Sequence, residues 1–522
     1  MAPDYIGIDF GTCNCSVAAW VNNQAELIPV DNNSDMPFKI RSSIYLKAGD
    51  RPLPKPNMHS ISKYESEITK DLNRQLKETR NEITRLNAQI QAAAEGQPQS
   101  KVDGLQFLLQ STRRKEQRFI DELSKSAFIK AKAARLAMAD SVSKEDSLND
   151  MLVSGSILFG EAGFNEFLLS PDEGRYINSP KNFLGAKIPK VLLDDFETIV
   201  ARFLSYLRIR AEKHLDRQIK RAVIARPVNY HSTMGELGNK QAEALMARAS
   251  AKAGFDEVHF IHEPLAAAYH FEQKINTEAE AMVVDLGGGT SDITFCRLSA
   301  ENADKLNRDD DILSTQGIRQ GGIACDKHLA NGVISPLFGR GGRTADGRAI
   351  PNVLFSGTFS IDNMPEITDF YSNNRAASIR QYIIDSEEPL KLLRLQRVQK
   401  NRLTHQLMHS VERAKIKLSD SEKIRLPLDF VENKLDVKIT RSDTSDTMKI
   451  WLDKLFAIIE TSIKEVGYAP EIIYLTGGMG LSPIVQKAIK AEYPKISIEV
   501  ADAFSSVVMG AAIKARRVFA SL

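Results

Sequence analysis

Two apolar stretches, IGIDFGTCNCSVA (Ile6 to Ala18) and MVVDLGGGTSDIT (Met282 to Thr294), share one plan: a β-type run, an Asp, a tight Gly/Thr turn and a second β-type run. The runs predict buried strands, and the turns predict hairpin tips where backbone N–H groups are open to close approach. Ile40 to Leu46 predicts a further strand, and ILFGEAG (Ile157 to Gly163) a strand entering a turn. Between these two the period changes. From about Tyr64 to Asp140 the chain is rich in Glu, Lys, Arg, Gln and Ala, poor in β-branched residues, and broken chiefly at GQPQS (Gly96 to Ser100). Ile68, Leu72, Leu76, Ile83, Leu86 and Ile90 recur at helical intervals, and Leu105, Leu108, Leu109, Phe119, Ile120 and Leu123 give the return segment its own apolar stripe. The pattern predicts two long helices in an antiparallel arm, which either packs on its host domain or reaches a partner.

A length of 522 residues exceeds what one core organises and predicts at least two domains. With 43% hydrophobic and 26% charged residues there is ample material for large cores; a net charge of +2 gives no sign of nucleic-acid or anionic-membrane targeting and says little about partners, and neither nucleic acid nor a membrane is expected as one. The chain passes from MAPDY straight into its first strand and has no run of 18 apolar residues, so neither a signal peptide nor a membrane span is expected and a cytoplasmic location is the default. Four cysteines, two of them in Cys13-Asn14-Cys15, make neither a disulfide framework nor a zinc site. The nine histidines show no metalloprotease spacing, and His262 reads as structural.

The chemistry concentrates at the two turns. Asp9 and Asp285 stand just before the tips, where a carboxylate can hold a hydrated Mg²⁺, and the tips themselves suit phosphates. Farther on, Glu412, Lys415 and Ser419 recur at spacings of three and four and so share one helical face. Gly477 and Gly478 let backbone lie close to a ligand before Ser482-Pro483 opens a helix.

Four more segments, AVIARPVNY, HEPLAAAYHF, ERAKIKLS and IIYLTGGMGLSPIVQKAI, occur with the two turns in an order that resembles the actin-like ATPase superfamily. Within it the chain is similar to the nucleotide-binding domain of DnaK-type (70-kDa heat-shock) chaperones, and most of all to the bacterial YegD-type homologues. The match runs from Ile6 to about Ala515 apart from the helical insertion. It implies an α/β, two-lobed actin-like ATPase fold of duplicated ribonuclease-H-like domains, with ATP or ADP and Mg²⁺ as cofactors. The first lobe is expected over 1–280, with the arm at about 60–150; the second over 281–503, with an inserted subdomain at about 327–449; and 504–522 as a connecting helix returning to the first.

By resemblance, Asp9 and Asp285 are the metal-side carboxylates acting through water, with Asp292 a further candidate. Gly11, Thr12 and Cys13 match the β-phosphate turn, and Gly287, Gly288, Gly289 and Thr290 the γ-phosphate turn. Glu263 matches the carboxylate beneath the attacking water, and Lys181, in SPKNFLG, the catalytic lysine. Glu412, Lys415, Ser419, Gly477, Gly478 and Met479 match the adenosine side. Phosphoryl transfer of this kind relies on positioning and electrostatics, so no nucleophilic side chain is required.

The chain also departs from the pattern. Leu481 stands where an Arg usually stacks on adenine, Cys13-Asn14 replaces a Thr and an aromatic residue, and GGIACD (Gly321 to Asp326) lacks one of two usual acids. No β-sandwich peptide-binding domain is expected after VVMGAAIKA (Val507 to Ala515). The function implied is a slow Mg²⁺-dependent ATP-hydrolysing switch whose lobe closure is coupled to an unidentified protein client or cochaperone. The alternatives are a non-hydrolytic nucleotide-binding or actin-like assembling scaffold and, behind it, a small-metabolite kinase.

Overall fold

The computed structural model describes residues 3–31, 34, 36–47, 58–94, 99–127, 129–130, 133, 151–152, 155–170, 173–230, 234–275, 277–299, 305, 308–501 and 505–520. The first apolar segment forms β1 (Tyr5–Phe10), β2 (Asn14–Val21) and β3 (Gln24–Ile28), an antiparallel meander. The strand expected over 40–46 is two strands, because the chain leaves one sheet for another at Ser42. β4 (Ile40–Arg41) pairs with β2, whereas β5 (Ser43–Lys47) lies at the centre of a separate three-stranded sheet. The helical arm follows as α1 (Met58–Ala94) and α2 (Gln99–Ser124). Part of the expected break, residues 95–98, and part of the expected helical stretch, residues 131–132 and 134–140, lie outside the described residues, as do most of the residues up to 150.

The chain re-enters the small sheet as β6 (Ser156–Phe159), and α3 (Gly160–Leu169) begins at once where a turn was expected. The left-handed φ of +62° at Gly160 makes that corner. β7 (Gly174–Asn178) completes the small sheet in the order β6-β5-β7. Helix α4 (Lys190–Leu215) then leads to β8 (Arg221–Arg226), and α5 (Gly235–Lys252) to β9 (Glu257–His262), both parallel additions to the first sheet, ordered β3-β2-β1-β8-β9. Helix α6 (Glu263–Glu272) follows directly.

A second sheet repeats this topology. β10 (Ala279–Leu286), β11 (Ser291–Leu298) and β12 (Ile312–Ile318) form the meander, while β15 (Ile472–Thr476) and β16 (Ser497–Val500) add in parallel to give β12-β11-β10-β15-β16. Between β12 and β15 come α7 (Gly322–Leu329), α8 (Met364–Phe370), α9 (Asn373–Asp385), α10 (Pro389–Lys400), α11 (Thr404–Asp420), the hairpin β13 (Lys423–Pro427) and β14 (Asp436–Thr440), and α12 (Arg441–Val466). Helices α9 and α10 are separate because Pro389 opens α10. Helix α13 (Pro483–Glu492) and the final helix α14 (Ser506–Phe519) complete the described fold.

Each sheet has its own core, one around Ile8, Phe10, Phe203 and Leu204, the other around Val284, Phe295, Trp451 and Leu475. They join where α6 crosses α14. A Cβ on Gly510 would lie 1.6 Å from the Ala266 carbonyl oxygen, so only glycine permits the crossing. Among the described residues no helix is long and apolar enough to cross a membrane.

The arm divides into two apolar regions. Near its base Ile68, Leu72, Phe119, Ile129 and Ala133 pack on one another. Near its tip Leu86, Ala93, Val102, Leu105 and Leu108 are buried in the same cluster as Phe338, Leu392 and Leu395 of the second lobe.

Candidate functional site

The duplicated sheets place their Asp residues equivalently. Asp9 and Asp285 are each the penultimate residue of a central strand, and the β1–β2 and β10–β11 tips follow immediately. The tips meet. A Cβ on Gly288 would fall 2.0 Å from the Cys13 Sγ, and one on Gly289 would fall 2.8 Å from the Thr12 side chain. A Cβ on Gly11 would lie 2.3 Å from the Asn14 carbonyl oxygen. At the second tip the Gly287 N–H donates to Thr290 (3.0 Å), and the start of α7 closes beneath it, with Gly322 N–H donating to Gly287 (2.9 Å) and Ile323 N–H to Gly288 (2.8 Å). At Gly477, φ +76°, a Cβ would lie 2.4 Å from the Leu286 carbonyl oxygen, so only glycine lets the backbone before the 478–481 turn pass this close to β10. Met479 is buried there, while Leu481 is 41% exposed.

Lys181 reaches the same place from a 3-10 turn (Pro180–Phe183) whose entry residue, Ser179, is left-handed at φ +53°. It forms a buried ion pair with Glu263, the first residue of α6. Burial alone would lower the Lys181 pKa, but the Glu263 and Asp9 carboxylates reverse this and hold the ammonium above its ordinary value. Burial, reinforced by Glu263 and opposed by Lys181, pushes the Asp9 carboxyl up to about 7. Asp292 also rises to about 7 through burial and then Glu263. Asp285 stands well above the usual carboxylate range through burial, then Glu263, Asp292 and Asp9. His262, just before Glu263, is pushed down to about 4 by burial and Arg226, so it is neutral at pH 7.

Lys181 thus faces Asp9, Glu263, Asp285 and Asp292, and among the described residues the buried Asp292 Oδ2 has no hydrogen-bond partner. A buried excess of carboxylate with an orphaned oxygen fits a cation. Among the described residues no three His, Cys, Asp or Glu side chains converge to chelate an ion directly.

On the other side of the tips, Glu412 and Lys415 project from α11. Lys415 pairs with Asp326 (2.9 Å) and donates to the Gly322 carbonyl (3.2 Å). Glu412 pairs with Arg41 (3.4 Å). Burial works against its charge, but hydrogen bonding with His409 and the charges of Arg41 and Lys415 hold the carboxyl at about 2. Ser419 lies one turn beyond Lys415, and its carbonyl accepts from Arg441 (3.0 Å).

Sequence reasoning missed Arg41, which also pairs with Glu161 (3.3 Å) and meets His409 (2.9 Å), clasping β4 and α3 of the first lobe to α11 of the second. It also missed the cavity lined by Cys13, Arg41, Tyr176, Asp326, His405 and His409. Arg41 carries no local signal because Glu412 is 371 residues away. His405 and His409, four apart on the helix of Glu412, share its face, which the spacing does show.

The family described as Hsp70 protein matches residues 193–334 and 377–520 of this chain. Similar curated proteins include the chaperone protein DnaK of Thermosipho melanesiensis and of Thermotoga maritima, each 27% identical over 377 residues, covering 69% of this chain and 52% of the relative. The chaperone protein DnaK of Endomicrobium trichonymphae is 26% identical over 375 residues, covering 69% of this chain and 49% of the relative. The chain spans about half the length of the curated relatives it matches.

Proposed function

This chain belongs to the Hsp70 family and has its actin-like ATPase fold, and from that premise we propose a slow Mg²⁺-dependent ATP-hydrolysing switch whose lobe closure is read by a protein partner. The observation that carries the reading is the buried carboxylate and lysine cluster lying where two glycine tips from duplicated sheets meet. Asp9 and Asp285 would hold the Mg²⁺, with Asp292 beside them, and the ion's contribution is to neutralise charge on the phosphates.

The chain's own residues then divide the work. The backbone of Gly11–Cys13 and of Gly287–Thr290 forms the phosphate cradle, and side chains are excluded from it at Gly288 and Gly289 by the opposite tip. Glu263 fixes the Lys181 ammonium and orients the attacking water, and Lys181 stabilises charge that develops on the transferred phosphoryl group. Glu412, Lys415, Ser419 and the Gly477–Met479 turn would bind adenosine, with the aliphatic Leu481 in place of a stacking cation. A cytoplasmic setting and a client or cochaperone as partner belong to the same proposal.

The test is single-turnover hydrolysis of γ-labelled ATP beside a binding titration, on the parent and Lys181→Ala. Turnover that is lost in the variant, with affinity kept within about tenfold, supports the switch. Binding without turnover in the parent would identify a nucleotide-sensing scaffold, and turnover unchanged in the variant removes Lys181 from the mechanism.

A further inference from the structure

The arm is inserted into a hairpin. β5 and β6 are antiparallel neighbours with Lys47 opposite Ser156, so the arm is inserted at one end of this strand pair in the small sheet of the first lobe. A turn of two residues can close such a pair, but the chain uses more than a hundred. Helix α1 alone has 37 residues, a rod of about 55 Å.

The apolar residues along this rod are not distributed as a surface decoration requires. The base cluster consists of arm residues alone, and partly buried Ile61, Tyr64, Leu76 and Leu123 extend it. Halfway along, Arg80 and Glu116 tie α1 to α2 at 2.8 Å. Beyond that point Leu86, Ala93, Val102, Leu105 and Leu108 belong to one buried cluster with second-lobe residues, and α2 packs on α10. Contact is close: a Cβ on Gly104 would lie 3.3 Å from the Pro389 Cγ. Phe107 and Ser111 line a further cavity with Leu393, Arg397 and Lys400 at the same junction.

We propose that the arm is an intramolecular strap: its tip is an interaction surface whose partner is the α10 face of the opposite lobe, and docking there restrains opening of the cleft. The arm then adds a further tie between the lobes, beside the α6–α14 crossing and the Arg41–Glu412 pair. Hinge opening must peel the apolar face of α2 from α10 or bend a two-helix rod, so the closed cleft is favoured. Taken with the nucleotide reading on which this consequence rests, a docked strap slows nucleotide release, and a protein that lifts the tip would accelerate it.

Cys13 supplies a reporter that needs no nucleotide, since its Sγ is lodged against Gly288 of the opposite tip while Cys15, Cys296 and Cys325 are buried. The experiment compares three full-length proteins without nucleotide: the parent, the loosened Leu105→Ala/Leu108→Ala variant, and a Gly104→Cys/Pro389→Cys variant oxidised to lock the tip. N-ethylmaleimide labelling of Cys13 is followed by peptide mass spectrometry, and release of a fluorescent ADP is timed in parallel. Relative to the parent, labelling and release are expected to be about tenfold faster in the loosened protein and several-fold slower in the locked one, with parent rates restored on reduction. Equal Cys13 labelling in all three overturns the strap. Labelling that tracks docking in a protein that binds no ADP supports the strap and removes the nucleotide reading. The locked variant keeps the test decisive if the loosened one fails to fold.

Discussion

Lys181 and the four carboxylates oppose one another in sign and in what they do for stability. Removing the ammonium leaves Glu263 buried without its partner, so Lys181→Ala should lower the melting temperature as well as abolish turnover. Replacing Asp285 by Asn removes a charge that burial and three neighbouring carboxylates already disfavour. In metal-free buffer Asp285→Asn should therefore raise the melting temperature by several degrees, while the Mg²⁺ dependence of nucleotide binding weakens. A calorimetric scan with and without Mg²⁺ checks both, and a fall in metal-free stability would show that Asp285 is not crowded by like charge.

His405 gives a prediction in pH. Burial, with Arg41 nearby, pushes its pKa down to about 4, so the unfolded chain binds this proton more readily than the folded one. The penalty is absent above about 6.5 and grows as pH falls, on the order of 2 kcal/mol at about pH 5 and 3 kcal/mol at about pH 4. His405→Gln should flatten the loss of thermal stability between pH 7 and pH 5. An unchanged slope would mean that other groups govern that range.

At the scale of elements, the hairpin tips and the helix crossing are set by what a side chain would strike. Gly288→Ala places a methyl group on the Cys13 Sγ, so it should part the tips and weaken nucleotide binding by more than tenfold, with partial recovery on adding Cys13→Gly. An additive pair in a binding titration would show that the tips do not press on each other. The strand–Asp–turn–strand plan of β1–β2 and β10–β11 was legible because alternation, Asp and glycine are all local. The break at Ser42 was not, because β4 and β5 differ only in which distant strand each finds. The start of α3 at Gly160 was missed for a related reason: its corner depends on a left-handed φ that the ILFGEAG pattern does not announce.

At the scale of the molecule, the nucleotide reading makes ligand a source of stability. Mg²⁺ and ATP at a hundred times the dissociation constant should stabilise the fold by about 2.7 kcal/mol, and chelation of the metal should remove most of it. A melting temperature indifferent to both would undercut the cleft as a binding site. The sequence by itself determined the duplicated β-type segments, the two helices of the arm and the types of residue at the tips and along α11, because periodicity, turn chemistry and ionisable side chains are written locally. Only the tertiary structure decided that Lys181 meets Glu263 across 82 residues, that Arg41 clasps Glu412, and that the arm rooted in one lobe buries its tip in the other. An apolar stripe states that a surface must be covered, but which surface covers it depends on where the rest of the chain places a complementary face.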